Sequence, residues 1–177
     1  MIKFEKVSRK QFIDDCMKTI PCTEEEAGKW YDNVKLPTRG SSKAAGYDFY
    51  TPIPFEIKTP NSDPVAISLF GYKPLRVTIP TGIRVAMSDD TFLMIVPRSG
   101  VGFKTGVSLA NTCGVIDADY YNSPNEGHVF IKFVSGFNDY NAAVGDRVAQ
   151  GIFMKYYTTD DDDTKSVRSG GFGSTGK

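Results

Sequence analysis

A chain of 177 residues, 40% of them hydrophobic and 24% charged, has room for one domain with a real core and reads as an ordinary soluble globular protein. Lys and Arg number 21, as do Asp and Glu, so no global field draws the chain to nucleic acid or to a membrane surface, and neither is an expected partner. The opening MIKFEKVSRK lacks the apolar core of a signal peptide and no window approaches the ~20 apolar residues of a membrane span, which predicts a cytoplasmic protein.

Two short helices are predicted at the start. Ser8 with Gln11, and Thr23 with Glu26, have the spacing of capping boxes. Phe12, Ile13, Cys16, Met17 and Ile20 make one apolar stripe at helical spacing, and Ala27, Trp30, Tyr31 and Val34 another; Trp30 reads as packing. Cys16, Cys22 and Cys113 have no metal-like spacing and the chain holds one His, so reduced thiols are expected, not a zinc site.

From about Val34 the pattern changes to short β-branched and aromatic runs broken by Pro, Gly, Asn and Ser, such as LRVTIPTGIRVAM, TFLMIVPRSG, HVFIKFVSG and RVAQGIFMKYY. Leu75, Val77 and Ile79 alternate, as do Ile83, Val85 and Met87, which suits strands with one buried face. The expected fold is all-β, a jelly-roll-like β-barrel, because closure hides strand edges that would otherwise invite aggregation. Residues 1–33 are read as a helical extension, 34–159 as the barrel, and 160–177 as an acidic tether followed by a glycine-rich arm. Like charges at Asp160 to Asp163 repel and extend that tether.

The last nine residues, SGGFGSTGK, resemble part of a phosphate-binding loop: Gly171, Gly176 and Lys177 fit the first fixed positions of a Walker motif. The helix that such a motif needs is not expected after Lys177. Glycine-rich backbone can still wrap an anion through successive N–H groups, and Phe172 adds an aromatic ring suited to stacking. A mobile lid is the reading that uses both features.

Four further stretches stand out: AAGYDFYTP around Asp48, VPRSGVG around Arg98, NTCGVIDADYY around Asp117, and GDRVAQG around Arg147. Each alone can be explained as a turn, a strand end or a hairpin. In this order, and followed by GGFGSTG, they resemble the five motifs of the trimeric dUTP pyrophosphatases (dUTPases), over roughly residues 34–177. The resemblance implies a jelly-roll subunit, a homotrimer, and magnesium-dependent hydrolysis of dUTP to dUMP and pyrophosphate, which lowers dUTP and supplies dUMP for thymidylate synthesis. It also implies that the C-terminal arm closes over a neighbouring subunit's site.

The matched residues suit that chemistry. Asp117 corresponds to the family's water-activating aspartate, and a carboxylate can orient a water in line and accept its proton. Asp119 would share its face in an extended strand, yet the motif points to Asp117, and Asp119 reads as a structural salt bridge. Arg98, Ser99 and Gly100 match the phosphate-contacting motif, and Gln150 an α-phosphate contact, while Asp146 and Arg147 look structural. Asp48 matches the aspartate that holds the waters of Mg²⁺, an ion that keeps several waters and leans on substrate phosphates. Asn111, with the backbone of Gly114, Val115 and Ile116, matches the uracil-reading hairpin, where fixed main-chain groups complement one donor and two acceptors. Tyr120 matches the residue that packs under the deoxyribose and excludes a 2′-hydroxyl. Phe172 matches the ring that stacks on uracil, and Arg168 the phosphate arginine of the arm, with Gly173, Ser174 and Thr175 around the phosphates.

Three departures accompany the match. Arg168 lies four residues before Phe172, where the family places five. The segment YNSPNE intervenes between Tyr120 and Gly127, and about thirty residues precede Val34. Two other readings compete. A dCTP deaminase shares the fold but needs a glutamate acid/base where this chain reads GVIDADY; a nucleotide-switched regulatory module would dock a protein partner.

Overall fold

The structure, a computed structural model, describes residues 2–59 and 74–166. It is mostly β and jelly-roll-like. In chain order the elements are β1 (Lys3–Lys6), α1 (Arg9–Thr19), α2 (Glu24–Asp32), β2 (Thr38–Arg39), β3 (Tyr47–Tyr50), β4 (Phe55–Ile57), β5 (Arg76–Pro80), β6 (Ile83–Ala86), β7 (Thr91–Pro97), α3 (Ser99–Thr105), β8 (Ser108–Leu109), β9 (Gly114–Ile116), a 3₁₀ turn (Ala118–Asn122), β10 (Phe130–Val134), β11 (Tyr140–Ala142) and β12 (Arg147–Lys155).

The strands fall into four sheets, ordered β2-β3-β12-β7-β9, β5-β10-β8, β1-β6 and β11-β4. Among the described residues none of these sheets closes on itself, so the expected barrel is an arrangement of open sheets around one core. Short strands interrupted by Pro and Gly account for this: ladders of two to five residues end before they can join, apart from the longer β7 and β12. In the five-stranded sheet alternation sets the faces. Leu93 and Ile95 of β7 pair with Phe153 and Gly151 of β12 and point inward, while Phe92, Met94 and Val96 pair with Met154, Ile152 and Gln150 on the outer face. Gly151 leaves room there, since a Cβ would sit 2.8 Å from Phe49 and 2.9 Å from Leu93. Ile79, Ile131 and Phe133 of the three-stranded sheet belong to the same core cluster.

The helices form where their caps predict. Thr23 and Glu26 make both bonds of a capping box, and Glu24, Glu25 and Glu26 lie at the positive end of α2. At α1 only half a box forms: Ser8 Oγ accepts from the Gln11 N–H at 3.1 Å, but the Ser8 N–H is taken by Glu126, 118 residues away, at 2.7 Å. Phe12, Cys16, Ala27 and Val34 are buried with the sheet residues, Ile13, Ile20, Trp30 and Tyr31 pack against them, and Met17, expected on the buried stripe, is 52% exposed. A stripe of five exceeds the arc that α1 can bury. Leu75, expected to alternate inward with Val77 and Ile79, lies just outside β5 and is exposed. β1 carries the helices into the fold by pairing with β6, a strand that sequence periodicity missed because KFEK is mostly charged. The three cysteines are free thiols, and burial pushes that of Cys16 up to about 12.

Candidate active site

Three of the motif stretches meet on one patch of the five-stranded sheet. Asp48 of β3 stands opposite Gln150 of β12, which stands opposite Val96 of β7. Arg98 follows β7 directly, and its Nε donates to Asp48 Oδ1 at 2.8 Å; Arg147 Nη1 donates to Asp48 Oδ2 at 3.3 Å. The Asp48 side chain is only 12% exposed, so two guanidinium groups hold one nearly buried carboxylate. Gln150 Nε2 donates to Pro97 O at 3.3 Å, and Gly46 leaves space for that amide, because a Cβ there would lie 2.5 Å from Gln150 Oε1. The glycine of the GYD motif thus seats the glutamine of another.

Ser99 and Gly100 open α3 directly after Arg98, and both are exposed. Val101 N–H and Gly102 N–H bond Arg98 O, while the N–H groups of Ser99 and Gly100 precede the intrahelical ladder. Nothing would lie within 4 Å of a Cβ on Gly100, so the space above it is open. Backbone donors, an arginine and an amide are a suitable set for phosphate oxygens. Arg147, read from sequence as structural, contributes through its ion pair with Asp48. Asp146 accepts from the Ala143 N–H at 2.8 Å and holds the turn before β12.

The GVID segment lies elsewhere on the same sheet. β9 pairs with the far half of β7, Ile116 opposite Leu93 and Gly114 opposite Ile95. Asp117, one residue past Ile116, comes level with Phe92, six residues from Arg98, which at about 3.4 Å per residue places it about 20 Å away along β7. Within one chain Asp117 and the Arg98 cluster are not brought together. Asp117 is exposed in an open cleft of about 520 Å³, walled by Phe92, Val115 and Tyr156 and shared with Asp89 and Asp119. Asp119 sits in the 3₁₀ turn, not in an extended strand, so it does not share a strand face with Asp117 as expected; β9 has ended at Ile116.

Asn111 lines a second cleft of about 440 Å³ with Thr78, Phe130, Lys132 and, from the end of α1, Thr19. Sequence reading passed over these four, although alternation in FIKFV sends Lys132 outward and register sets it beside Thr78. Gly114 packs tightly, 3.3 Å from a Cβ position to Ile95 Cβ. β9 is the last strand of its sheet, so beyond β7 its second edge has no strand partner among the described residues. The N–H and C=O groups along that edge are a ready template for a planar ligand edge. Ile116 is buried and Val115 is 54% exposed. Tyr120 is 2% exposed, and its hydroxyl donates to His128 O at 2.9 Å. Arg168, Phe172, Gly173, Ser174 and Thr175 lie outside the described residues.

Three comparisons bear on this arrangement. The family model described as dUTPase matches residues 32–176. The deoxyuridine 5′-triphosphate nucleotidohydrolase of Lactococcus lactis subsp. lactis (strain IL1403) is 38% identical over 148 residues, covering 81% of this chain and 89% of that protein. The crystal structure of dUTPase from Streptococcus mutans superposes with a TM-score of 0.61 at 30% identity, over 89% of this chain and 98% of that one. A dUTPase from phage phi11 of S. aureus, described with a structural Mg(II) ion, shares the fold at TM-score 0.59 and 16% identity, over 96% of this chain and 99% of that one.

Proposed function

The chain belongs to the dUTPase family, and on that premise we propose that it hydrolyses dUTP to dUMP and pyrophosphate in sites shared between the subunits of a homotrimer. The observation that carries the shared site is the separation of Asp117 from Arg98 by about 20 Å along β7. A water held by Asp117 needs an α-phosphorus beside it, so the phosphate-binding cluster must come from a second copy. The outer face of the five-stranded sheet supports such assembly: Val115 is 54% and Met154 40% exposed, in register with Phe92, Met94 and Ile152.

In this reading Asp117 orients a water and takes its proton as the oxygen attacks the α-phosphorus. The bond from that phosphorus to the bridging oxygen breaks, and pyrophosphate leaves. Arg98, the N–H groups of Ser99 and Gly100, and Gln150 hold the phosphates, and Asn111 with the β9 edge reads uracil. Tyr120 floors the deoxyribose. Arg168, Phe172, Gly173, Ser174 and Thr175 are assigned to the closing arm.

Magnesium fits this donor set in one way only. Among the described residues no group of three His, Cys, Asp or Glu could hold a metal ion, and Asp48 is already engaged by two arginines. A metal carried by the triphosphate, its waters reached by Asp48, needs no protein cage; when bound it neutralises charge on the phosphate oxygens.

The test is pyrophosphate release from dUTP, dCTP, dTTP and UTP in parallel, with and without Mg²⁺. Release from dUTP alone is expected; release from dCTP or UTP at comparable rates overturns the base and sugar assignments. Asp117→Asn and Arg98→Ala should each be nearly inactive as pure trimers, and mixing them under subunit exchange should restore activity through sites that receive both intact residues. Mixtures that stay inactive refute the shared site.

A further inference from the structure

The segment YNSPNE, which begins in the last two residues of the 3₁₀ turn, is foreign to the motifs, and the site above uses none of it. Two of its side chains, those of Ser123 and Asn125, bond Tyr120. Asn125 Nδ2 donates to the Tyr120 hydroxyl at 2.8 Å, while that hydroxyl donates to His128 O at 2.9 Å. The amide is itself aimed: Ser123 Oγ donates to Asn125 Oδ1 at 2.7 Å, and Nδ2 also reaches His128 O at 3.3 Å. A phenol whose oxygen is gripped by one donor and one acceptor has its ring tilt fixed from the far end.

The turn that carries Asn125 is tied down three further times. Glu126 holds φ at 58°, a left-handed conformation that residues with a Cβ adopt only when their surroundings enforce it. Here its carboxylate accepts from both the N–H and the Oγ–H of Ser8, each at 2.7 Å, at the start of α1. Gly127 follows at φ 70°, with no room for a side chain: a Cβ would lie 2.8 Å from Tyr121 Cα and 2.9 Å from Tyr120 O. His128 is fully buried; its Nε2 accepts from the Gly82 N–H at 2.8 Å, which leaves the ring proton on Nδ1 to be donated to Asp15 Oδ2 at 2.7 Å. Both carboxylates that hold the turn thus work against α1, one as acceptor for its cap and one from its buried face.

We propose that Asn125 is a positioning residue for sugar selection, fixing the Tyr120 ring with α1 as its rigid support. The proposal rests on the reading of Tyr120 as the floor beneath the deoxyribose. Ribose differs by one oxygen, and a wall rejects one oxygen only if it cannot yield by a fraction of an ångström. Tyr120 is buried, with 2% of its area exposed, so in this reading only a small part of the ring meets the sugar and its tilt decides what that area admits.

The experiment measures kcat/KM for dUTP and for UTP in five proteins: wild type, Asn125→Ala, Tyr120→Phe, the double variant of these two, and Tyr120→Leu. Asn125→Ala keeps the ring and removes one side of its anchor, so it should raise the UTP-to-dUTP ratio about tenfold while kcat for dUTP stays within about threefold; Tyr120→Phe keeps the ring but removes both bonds of the hydroxyl and should raise the ratio at least as far. Combined, they should be no less selective than either alone, because both cut the same link. Should Tyr120→Leu leave discrimination intact, the sugar-floor reading fails and the proposal with it. Should Tyr120→Leu abolish discrimination while Asn125→Ala and Tyr120→Phe, both folded by circular dichroism, keep the wild-type ratio within about twofold, the positioning role is refuted and the sugar floor stands. If Asn125→Ala does not fold, Tyr120→Phe carries the same test, because it removes one oxygen and leaves the turn intact.

Discussion

Replacing Asp15 by Ala isolates the tie between the N-terminal helix and the sheets. His128 is completely buried and Asp15 is 7% exposed, so water cannot substitute for the missing carboxylate. The Nδ1–H would be left without its 2.7 Å acceptor while Nε2 stays committed to Gly82. A buried donor stripped of its partner costs about 1–3 kcal/mol, and a bond to a charged acceptor such as the Asp15 carboxylate falls at the upper end of that range. Taking about 3 kcal/mol, and about 2–4 °C per kcal/mol for a chain of this size, the melting temperature should fall by about 6–12 °C. Asp32→Ala provides the comparison. It removes the Arg9 to Asp32 pair between α1 and α2, whose side chains are 50% and 64% exposed, and such pairs contribute about 0–1 kcal/mol. Its melting temperature should fall by less than about 4 °C. Thermal unfolding by circular dichroism, at one chain concentration for all variants, decides between them. Equal losses for Asp15→Ala and Asp32→Ala would refute the reasoning, because they would mean that the buried pair contributes no more than a surface one.

Gly46→Ala should lower dUTP turnover at least tenfold with little loss of stability, since the intruding Cβ meets the far end of the Gln150 side chain, which can swing away from its position; steady-state kinetics beside a melting curve checks both halves. Gly136→Ala should do the reverse and lose folded protein, by about 4 kcal/mol or more in a denaturant titration, because its Cβ would meet only backbone, at 2.1 Å from Thr105 O and 2.2 Å from Gly106 C. The backbone N–H of Ser8 holds the Glu126 carboxyl below its ordinary range. A depressed folded pKa contributes stability above the unfolded value near 4.3, lost as pH falls through the folded value. Wild type should therefore lose stability relative to Glu126→Gln between about pH 5 and pH 3, and parallel melting curves over that range test it.

Much of this was legible in the sequence, for reasons that differ by element. Thr23 and Glu26 specify their cap locally, and β7, β10 and β12 announce themselves by alternation, so helices and strands fell where expected. β1 did not, because a strand of Lys, Phe, Glu and Lys takes its place from a partner 80 residues along, β6, and not from its own pattern. The jelly-roll-like class was legible, but closure was not: hydrophobic alternation reports which side of a strand is buried, not whether the last strand meets the first, and among the described residues the sheets stay open. At the site, short motifs singled out Asp48, Arg98, Gln150 and Asp117, yet no motif encodes register. Only the pairing of β9 with the far half of β7 sets Asp117 far from Arg98 along the strand within one chain. Asn125 and His128 were invisible for a related reason, since their partners, Tyr120 and Asp15, are recognisable only once the turn is folded.

The bond between Ser8 and Glu126 joins residues 118 apart in the chain. During synthesis at about 5–20 residues per second, some 6–24 s separate the appearance of the first helix from that of the carboxylate that completes its cap. Phe12 and Cys16, both fully buried in the finished fold, stay uncovered for the part of that interval that precedes β5 and β6, the strands against which α1 and β1 pack. Codons that slow translation between 20 and 126 would lengthen the wait of the α1 N-terminus for its acceptor, and β10 and β12, which complete two of the sheets, follow later still.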